Sequence, residues 1–254
     1  MSAAISTSTY AFEARHVTKK FGANVVIEDL SIGFEPGMLH SILGPNGAGK
    51  TTLFNLLTRD LPVTSGEILL RGASVTNLKP HQIARRGVGR SYQISSVYLD
   101  LTFLENVWLA AYRAAHKGRT GWWRNVRSYD TLRVQASELL QTLGLDQYEN
   151  TLAKSVSYGD QRLLEIAVTL ATRPEILLLD EPTAGLSQRE TERVKTFIAS
   201  IKSDYTIVMI EHKMNVVMEI SDRIHVMSRG ALIAAGTAEE ISKNQAVHAA
   251  YFGL

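Results

Sequence analysis

The stretch that decides the fold is Met38-Leu39-His40-Ser41-Ile42-Leu43-Gly44-Pro45-Asn46-Gly47-Ala48-Gly49-Lys50-Thr51-Thr52-Leu53-Phe54-Asn55-Leu56-Leu57. A short apolar run, MLHSIL, enters a glycine-rich turn. The turn enters TTLFNLLTRDL, a helical pattern that Pro62 is expected to stop. Gly44 to Thr51 fits G-x-x-x-x-G-K-[ST] in the strand–turn–helix setting which that spacing needs to carry chemistry. Glycines let backbone N–H groups wrap a phosphate without interference from β-carbons, and the start of the following helix adds its positive end. Lys50 is expected to reach the β- and γ-phosphates, and Thr51 to offer its hydroxyl to Mg2+. Gly44, Pro45, Asn46, Gly47, Ala48, Gly49, Lys50, Thr51 and Thr52 are therefore the candidate nucleotide-phosphate contacts, with Lys50 also a candidate catalytic group. A glycine-rich structural turn is the plain alternative, and the agreement of pattern with context weighs against it.

Downstream, Ile176-Leu177-Leu178-Leu179-Asp180-Glu181 reads as a buried strand ending in two adjacent carboxylates. Such an edge faces a ligand crevice in a parallel sheet. Asp180 is the candidate for holding Mg2+, and Glu181 the candidate general base that polarises an attacking water. Alone, the pair could be two solvated acids at a strand end. With the phosphate loop upstream, it indicates a P-loop nucleotide-binding protein.

The rest of the chain fits that reading. FEARHVTKKFG, VIEDLSIGFEPG and GEILLRG are bounded by turn residues, as antiparallel strands are. LENVWLAAYRAA and LRVQASELLQTLG carry helical spacing, with the basic, aromatic HKGRTGWWRNVRSYD between them. From Ser157 onward, helical patterns alternate with EILLLD and YTIVMIEH, whose unbroken apolar character suggests strands covered on both faces. The expected fold is α/β: a P-loop NTPase (RecA-like) parallel core with an antiparallel β subdomain and a helical subdomain. Residues 12–254 form the expected ATPase domain, with its core at about 12–92 and 165–254 and the helical subdomain at about 93–164. Residues 1–11 are expected to be a flexible tail.

Composition sets limits on function. The 254 residues are 45% hydrophobic and 20% charged, which excludes wholesale disorder. Cysteine is absent, so disulfides, thiolate metal sites and cysteine nucleophiles are excluded. The net charge of +2 gives no global argument for nucleic acid. Arg85, Arg86 and Arg90 read as a solvated helix face. No run approaches the ~18 apolar residues of a membrane span, and MSAAISTSTY lacks the pattern of a signal peptide. The expected location is cytoplasmic, with any membrane role coming through a partner.

Val156-Ser157-Tyr158-Gly159-Asp160-Gln161-Arg162 has a bland reading as a helix start, with Ser157 as cap and Asp160 at the capping-box position. It also resembles the signature sequence of ABC transporter ATPases, and other elements of that family follow. Gln93 in RSYQ resembles the Q-loop. Glu181-Pro182-Thr183-Ala184-Gly185-Leu186-Ser187 resembles the Walker B end and the D-loop. His212 in IEHK resembles the switch histidine, and Phe21 in KKFG the aromatic that stacks on adenine. The match runs from about residue 12 to the end.

The resemblance implies two cassettes, facing head to tail as a homodimer or as a heterodimer with a paralogue. The signature of each, through Ser157 and Gly159, closes over ATP held by the other. It makes His212 and Gln93 catalytic with Glu181 and Lys50, adds Gln93 to Thr51 and Asp180 around Mg2+, and places Phe21 against the base. The implied partners are transmembrane permease subunits and a periplasmic or extracellular solute-binding protein, with no nucleic acid. The chain would sit peripherally on the inner face of the cell membrane.

VSYGDQRLLEIA, EPTAGLS, MIEHKMNVVMEISDRIHVMSRG and the ending AYFGL resemble the branched-chain amino acid uptake subgroup and its urea and amide relatives, and VYLDLTFLENV leans toward the urea type. A lipid or polysaccharide exporter ATPase and a non-transport ABC ATPase are the alternatives. Two departures stand out: Tyr158 and Asp160 replace the Gly and Gln usual in the signature, and Ser187 replaces the D-loop Asp. Trp122-Trp123-Arg124 could dock a permease or touch headgroups, or simply pack the insertion's own core.

Overall fold

The structure, a computed structural model, describes residues 9–91, 97–116 and 126–252. Strands β1 (Phe12–Phe21) and β2 (Asn24–Phe34) pair as a hairpin. β3 (Leu39–Leu43) then runs through the glycine-rich turn into α1 (Lys50–Leu57). β4 (Ser65–Leu70), β5 (Ala73–Ser74), α2 (Pro80–Ala84) and β6 (Val88–Ser91) follow. The helical region holds α3 (Phe103–His116), α4 (Val126–Thr142) and α5 (Tyr158–Leu170). The chain continues as β7 (Ile176–Asp180), α6 (Gln188–Ile201), β8 (Thr206–Ile210), α7 (Met214–Ile220), β9 (Arg223–Ser228), β10 (Ala231–Gly236), α8 (Ala238–Ser242) and α9 (Gln245–Phe252).

Two sheets result. One is antiparallel, in the order β2-β1-β4-β5. The other runs β10-β9-β3-β8-β7-β6 and is parallel except for β10 at its edge. The apolar strands of the second sheet divide their side chains between two cores. Ile42, Ile176, Leu178, Val208, Ile210 and Met227 pack under α1 and the antiparallel sheet. Leu39, Leu177, Leu179, Ile207, Met209 and Val226 pack against α3, α5, α6 and α7. Burial on both faces is why these strands show no polar alternation.

Three expectations are corrected. α1 ends at Leu57, well before Pro62: Thr58 Oγ1 donates back to the Phe54 carbonyl at 2.9 Å, and Arg59 turns away at φ 63°. Tyr10 and Ala11 are tied down, with the Ala11 N–H on the Phe34 carbonyl at 2.8 Å and the Tyr10 ring over Gly33. Arg90 lies on strand β6 and points inward, so it belongs to no solvated helix face. Among the described residues, no helix is long and apolar enough to cross a membrane.

Candidate functional site

The turn after β3 is shaped by Gly49, the N-cap of α1, at φ 98°. Only glycine adopts that conformation cheaply. The loop is anchored by the Ala48 N–H on the Pro45 carbonyl (3.2 Å) and by the Gly230 N–H on the Ala48 carbonyl (3.0 Å), which joins it to the β9–β10 turn. Lys50 folds back over the loop, its Nζ donating to the Gly44 carbonyl at 2.7 Å and to the Pro45 carbonyl at 3.0 Å. Burial pushes its pKa down, and the nearby carboxylates of Glu181 and Asp180 oppose that shift. Asn46, Gly47 and Thr51 are exposed at the rim, Thr52 is half-buried, and Gly44 and Ala48 lie below.

Asp180 ends β7 with its side chain 1% exposed. Its Oδ2 accepts from Arg90 Nη2 at 2.9 Å. Its Oδ1 is buried without a hydrogen-bond partner. Arg90 also donates from Nη1 to Asn55 Oδ1 (2.7 Å), Thr58 Oγ1 (3.1 Å) and Asp60 Oδ2 (3.2 Å), so one guanidinium ties β6 and β7 to the end of α1. Glu181 follows at φ 49°, in the left-handed region that non-glycine residues seldom adopt, with its N–H on the Ile210 carbonyl at 3.0 Å. His212 Nε2 lies 2.7 Å from Glu181 Oε1, within hydrogen-bonding distance. The structure thus brings Lys50, Asp180, Glu181 and His212 to one end of the parallel sheet, at the carboxyl ends of β3, β7 and β8.

Two residues of this site escaped sequence reasoning. Arg90 is the first. Glu211 is the second: it is 1% exposed and takes four hydrogen bonds. Oε1 accepts from the N–H (2.9 Å) and the hydroxyl of Thr183, and Oε2 from the N–H groups of His212 (2.8 Å) and Lys213 (3.1 Å). It fixes the loop bearing His212 to the loop after Glu181. Its position beside His212 in IEHK was the available signal.

The remaining expected residues are placed as follows. Phe21, at the end of β1, is 46% exposed, with Lys19 Nζ 4.8 Å from its ring centroid. Ser157 caps α5, its Oγ accepting from the Asp160 N–H at 3.2 Å and donating to Asp160 Oδ2 at 2.8 Å. Gly159 contacts α6, and the described contacts of Ser157 and Gly159 do not join them to the Lys50–Glu181 end. Gln93 and Trp122-Trp123-Arg124 lie outside the described residues.

Known proteins are similar to this chain in sequence and in fold. The family model described as ABC transporter matches residues 27–184. The high-affinity branched-chain amino acid transport ATP-binding protein LivG of Escherichia coli K12 is 40% identical over 92% of this chain and 94% of its own length. BraF of Pseudomonas aeruginosa, with the same description, is 39% identical over 95% and 97%. Among solved structures, the ATP-binding cassette of an ABC transporter in its ADP conformation superposes with a TM-score of 0.84 and 25% identity, covering 97% of this chain and all of that one. The phosphate loop, the paired carboxylates and the signature thus sit on a shared fold, and the chain belongs to the ABC transporter family as an ATP-hydrolysing, ATP-binding cassette.

Proposed function

We propose that this cassette energises the import of branched-chain amino acids through a membrane permease. It would bind at the permease's cytoplasmic face, with a solute-binding protein delivering the solute from outside. The observation that carries this reading is the near full-length similarity to LivG and BraF, whose names give that transport role. The lean of VYLDLTFLENV toward urea-type relatives supplies the second solute class to test.

In this reading Phe21 stacks on the base, and Gly44 to Thr52 hold the phosphates. The buried, unpartnered Oδ1 of Asp180 suits a hydrated Mg2+. Thr51 and Gln93 would complete its holders, and the ion would supply charge neutralisation for the phosphates. Lys50 exchanges its two loop carbonyls for phosphate oxygens. Glu181 takes the proton of the attacking water as the water oxygen bonds to the γ-phosphorus and the bond to the ADP oxygen breaks. A positioned base of this kind contributes about 10²–10⁴-fold. His212 holds Glu181 and the γ-phosphate in register. A second cassette, a copy or a paralogue, closes its Ser157–Gly159 helix start over the same γ-phosphate, while the helical subdomain at about 93–164 meets the permease.

The test is reconstitution with the permease and solute-binding protein in vesicles. ATP-dependent accumulation of labelled leucine or valine is the expected result. Accumulation of urea alone moves the solute to the other subgroup, and no ATP-driven uptake of either overturns the import reading.

A further inference from the structure

The start of α5, at Gly159 and Asp160, meets the first turns of α6, which the D-loop residue Ser187 begins. Ser187 caps that helix in a capping box with Glu190: the Glu190 N–H donates to Ser187 Oγ, and Glu190 Oε2 accepts from the Ser187 N–H (3.0 Å) and hydroxyl (2.7 Å). The other oxygen of the same carboxylate, Oε1, accepts from the N–H of Gly159 at 3.1 Å. That N–H belongs to the first turn of α5, where the helix has no internal partner for it. A β-carbon at 159 would lie 2.8 Å from Glu190 Cγ and 2.9 Å from its Cβ, so glycine is what lets the carboxylate come this close. One turn along α6, Arg193 pairs with Asp160 at 2.8 Å, and Asp160 in turn holds the Ser157 hydroxyl. The Gly159 N–H and the Ser157 hydroxyl at the start of α5 are therefore engaged by carboxylates of the same chain.

We propose that Glu190 is an internal competitor for the γ-phosphate: its carboxylate occupies the Gly159 N–H in the separated cassette and must swing away before the ATP of a facing cassette can bind there. This rests on the sandwich reading above. The hydrogen bonds from Ser187 and Gly159 hold Glu190 below the usual carboxylate range, so it is ionised at neutral pH and competes as an anion. Two anions do not share one N–H donor. The more highly charged γ-phosphate displaces the carboxylate when the cassettes close, and after hydrolysis the carboxylate returns and favours separation. Glu190 is half-buried at the surface, which leaves it room to turn out. Glu190 is thus a positioning residue that sets the ATP threshold for assembly and the ease of release.

The test uses the full chain in a Glu181→Gln background, where ATP-bound dimers persist. Glu190→Gln keeps one acceptor oxygen, enough for Ser187 or Gly159 but not for both, and loses the charge; Glu190→Ala loses the acceptor and the charge. Amide exchange at Gly159 without nucleotide is measured first. Protection in the parent that is lost in Glu190→Ala, with the α5 interior unchanged, is expected of the contact. ATP-dependent dimerisation is then followed by sedimentation. Both variants are expected to dimerise at about tenfold lower protein concentration than the parent. A purely structural cap predicts unchanged dimerisation for Glu190→Gln and weaker dimerisation for Glu190→Ala, and either pattern overturns the proposal. If the Glu181→Gln parent does not dimerise with ATP, the sandwich of identical cassettes is itself wrong and the competition falls with it. If the parent dimerises and only the Glu190 effect is missing, the sandwich stands alone.

Discussion

Glu211 shows how a buried residue behind the site can hold its loops in place. Its two oxygens accept from four donors in two loops, the one carrying His212 and the one after Glu181. Glu211→Gln replaces one acceptor oxygen with an NH2 group that faces existing donors. An unmade buried hydrogen bond costs about 1–3 kcal/mol. The variant is expected to lose stability by about that amount in urea denaturation and to lower kcat while leaving ATP affinity near that of the parent. Unchanged kcat would show that His212 is placed without it. The phosphate loop and the Asp180-Glu181 pair were legible in the sequence because each is a local pattern in a diagnostic setting. Arg90 and Glu211 were not. Their significance lies in partners 90 and 28 residues away in sequence, respectively, which no local pattern reveals.

At the scale of elements, the unbroken apolar strands and the strands bounded by turn residues could be read, whereas β5 and β6 could not. β6 is four residues, VGRS, held in place because its neighbour β7 is buried; nothing in its own composition announces a strand. β3 and β9 also hide a stability device. His40 and His225 sit side by side on these strands beneath Phe34, with His40 Nδ1 3.2 Å from His225 Nε2 and His40 Nε2 on the Glu35 carbonyl at 3.0 Å. The charged groups facing them are the Glu35 carboxylate, Arg223 and Asp222. Burial pushes both imidazoles below their ordinary value, His225 to about 3. The folded state therefore keeps them neutral, while the unfolded chain binds protons below about pH 6.5. Their contribution is fully present above that pH and is lost as pH falls, for His225 progressively toward about 3 at up to about 1.4 kcal/mol per pH unit. Unfolding free energies from urea denaturation between pH 7 and 4 are expected to fall with pH, and to fall less steeply in His225→Leu. Identical profiles would mean that other groups drive the acid sensitivity.

At the scale of the molecule, the two sheets and the helical layer were foreseeable because the β3–turn–α1 unit and the fully apolar β7 and β8 admit few arrangements: a parallel sheet needs cover on both faces. Which loops then meet depended on the folded chain. The parallel sheet delivers Lys50, Asp180, Glu181 and His212 to one end, whereas Ser157 and Gly159 contact α6 of their own chain. In the proposed reading these are two separated half-sites of one cassette, which a head-to-tail pair would complete. The central claim is that Glu181 activates water inside such a pair. Its most direct test is ATP hydrolysis and sedimentation of Glu181→Gln beside the parent protein. The account predicts that turnover falls at least about 10²-fold and that an ATP-bound dimer accumulates. Steady-state hydrolysis equal to the parent's, with no ATP-dependent dimer, would contradict it.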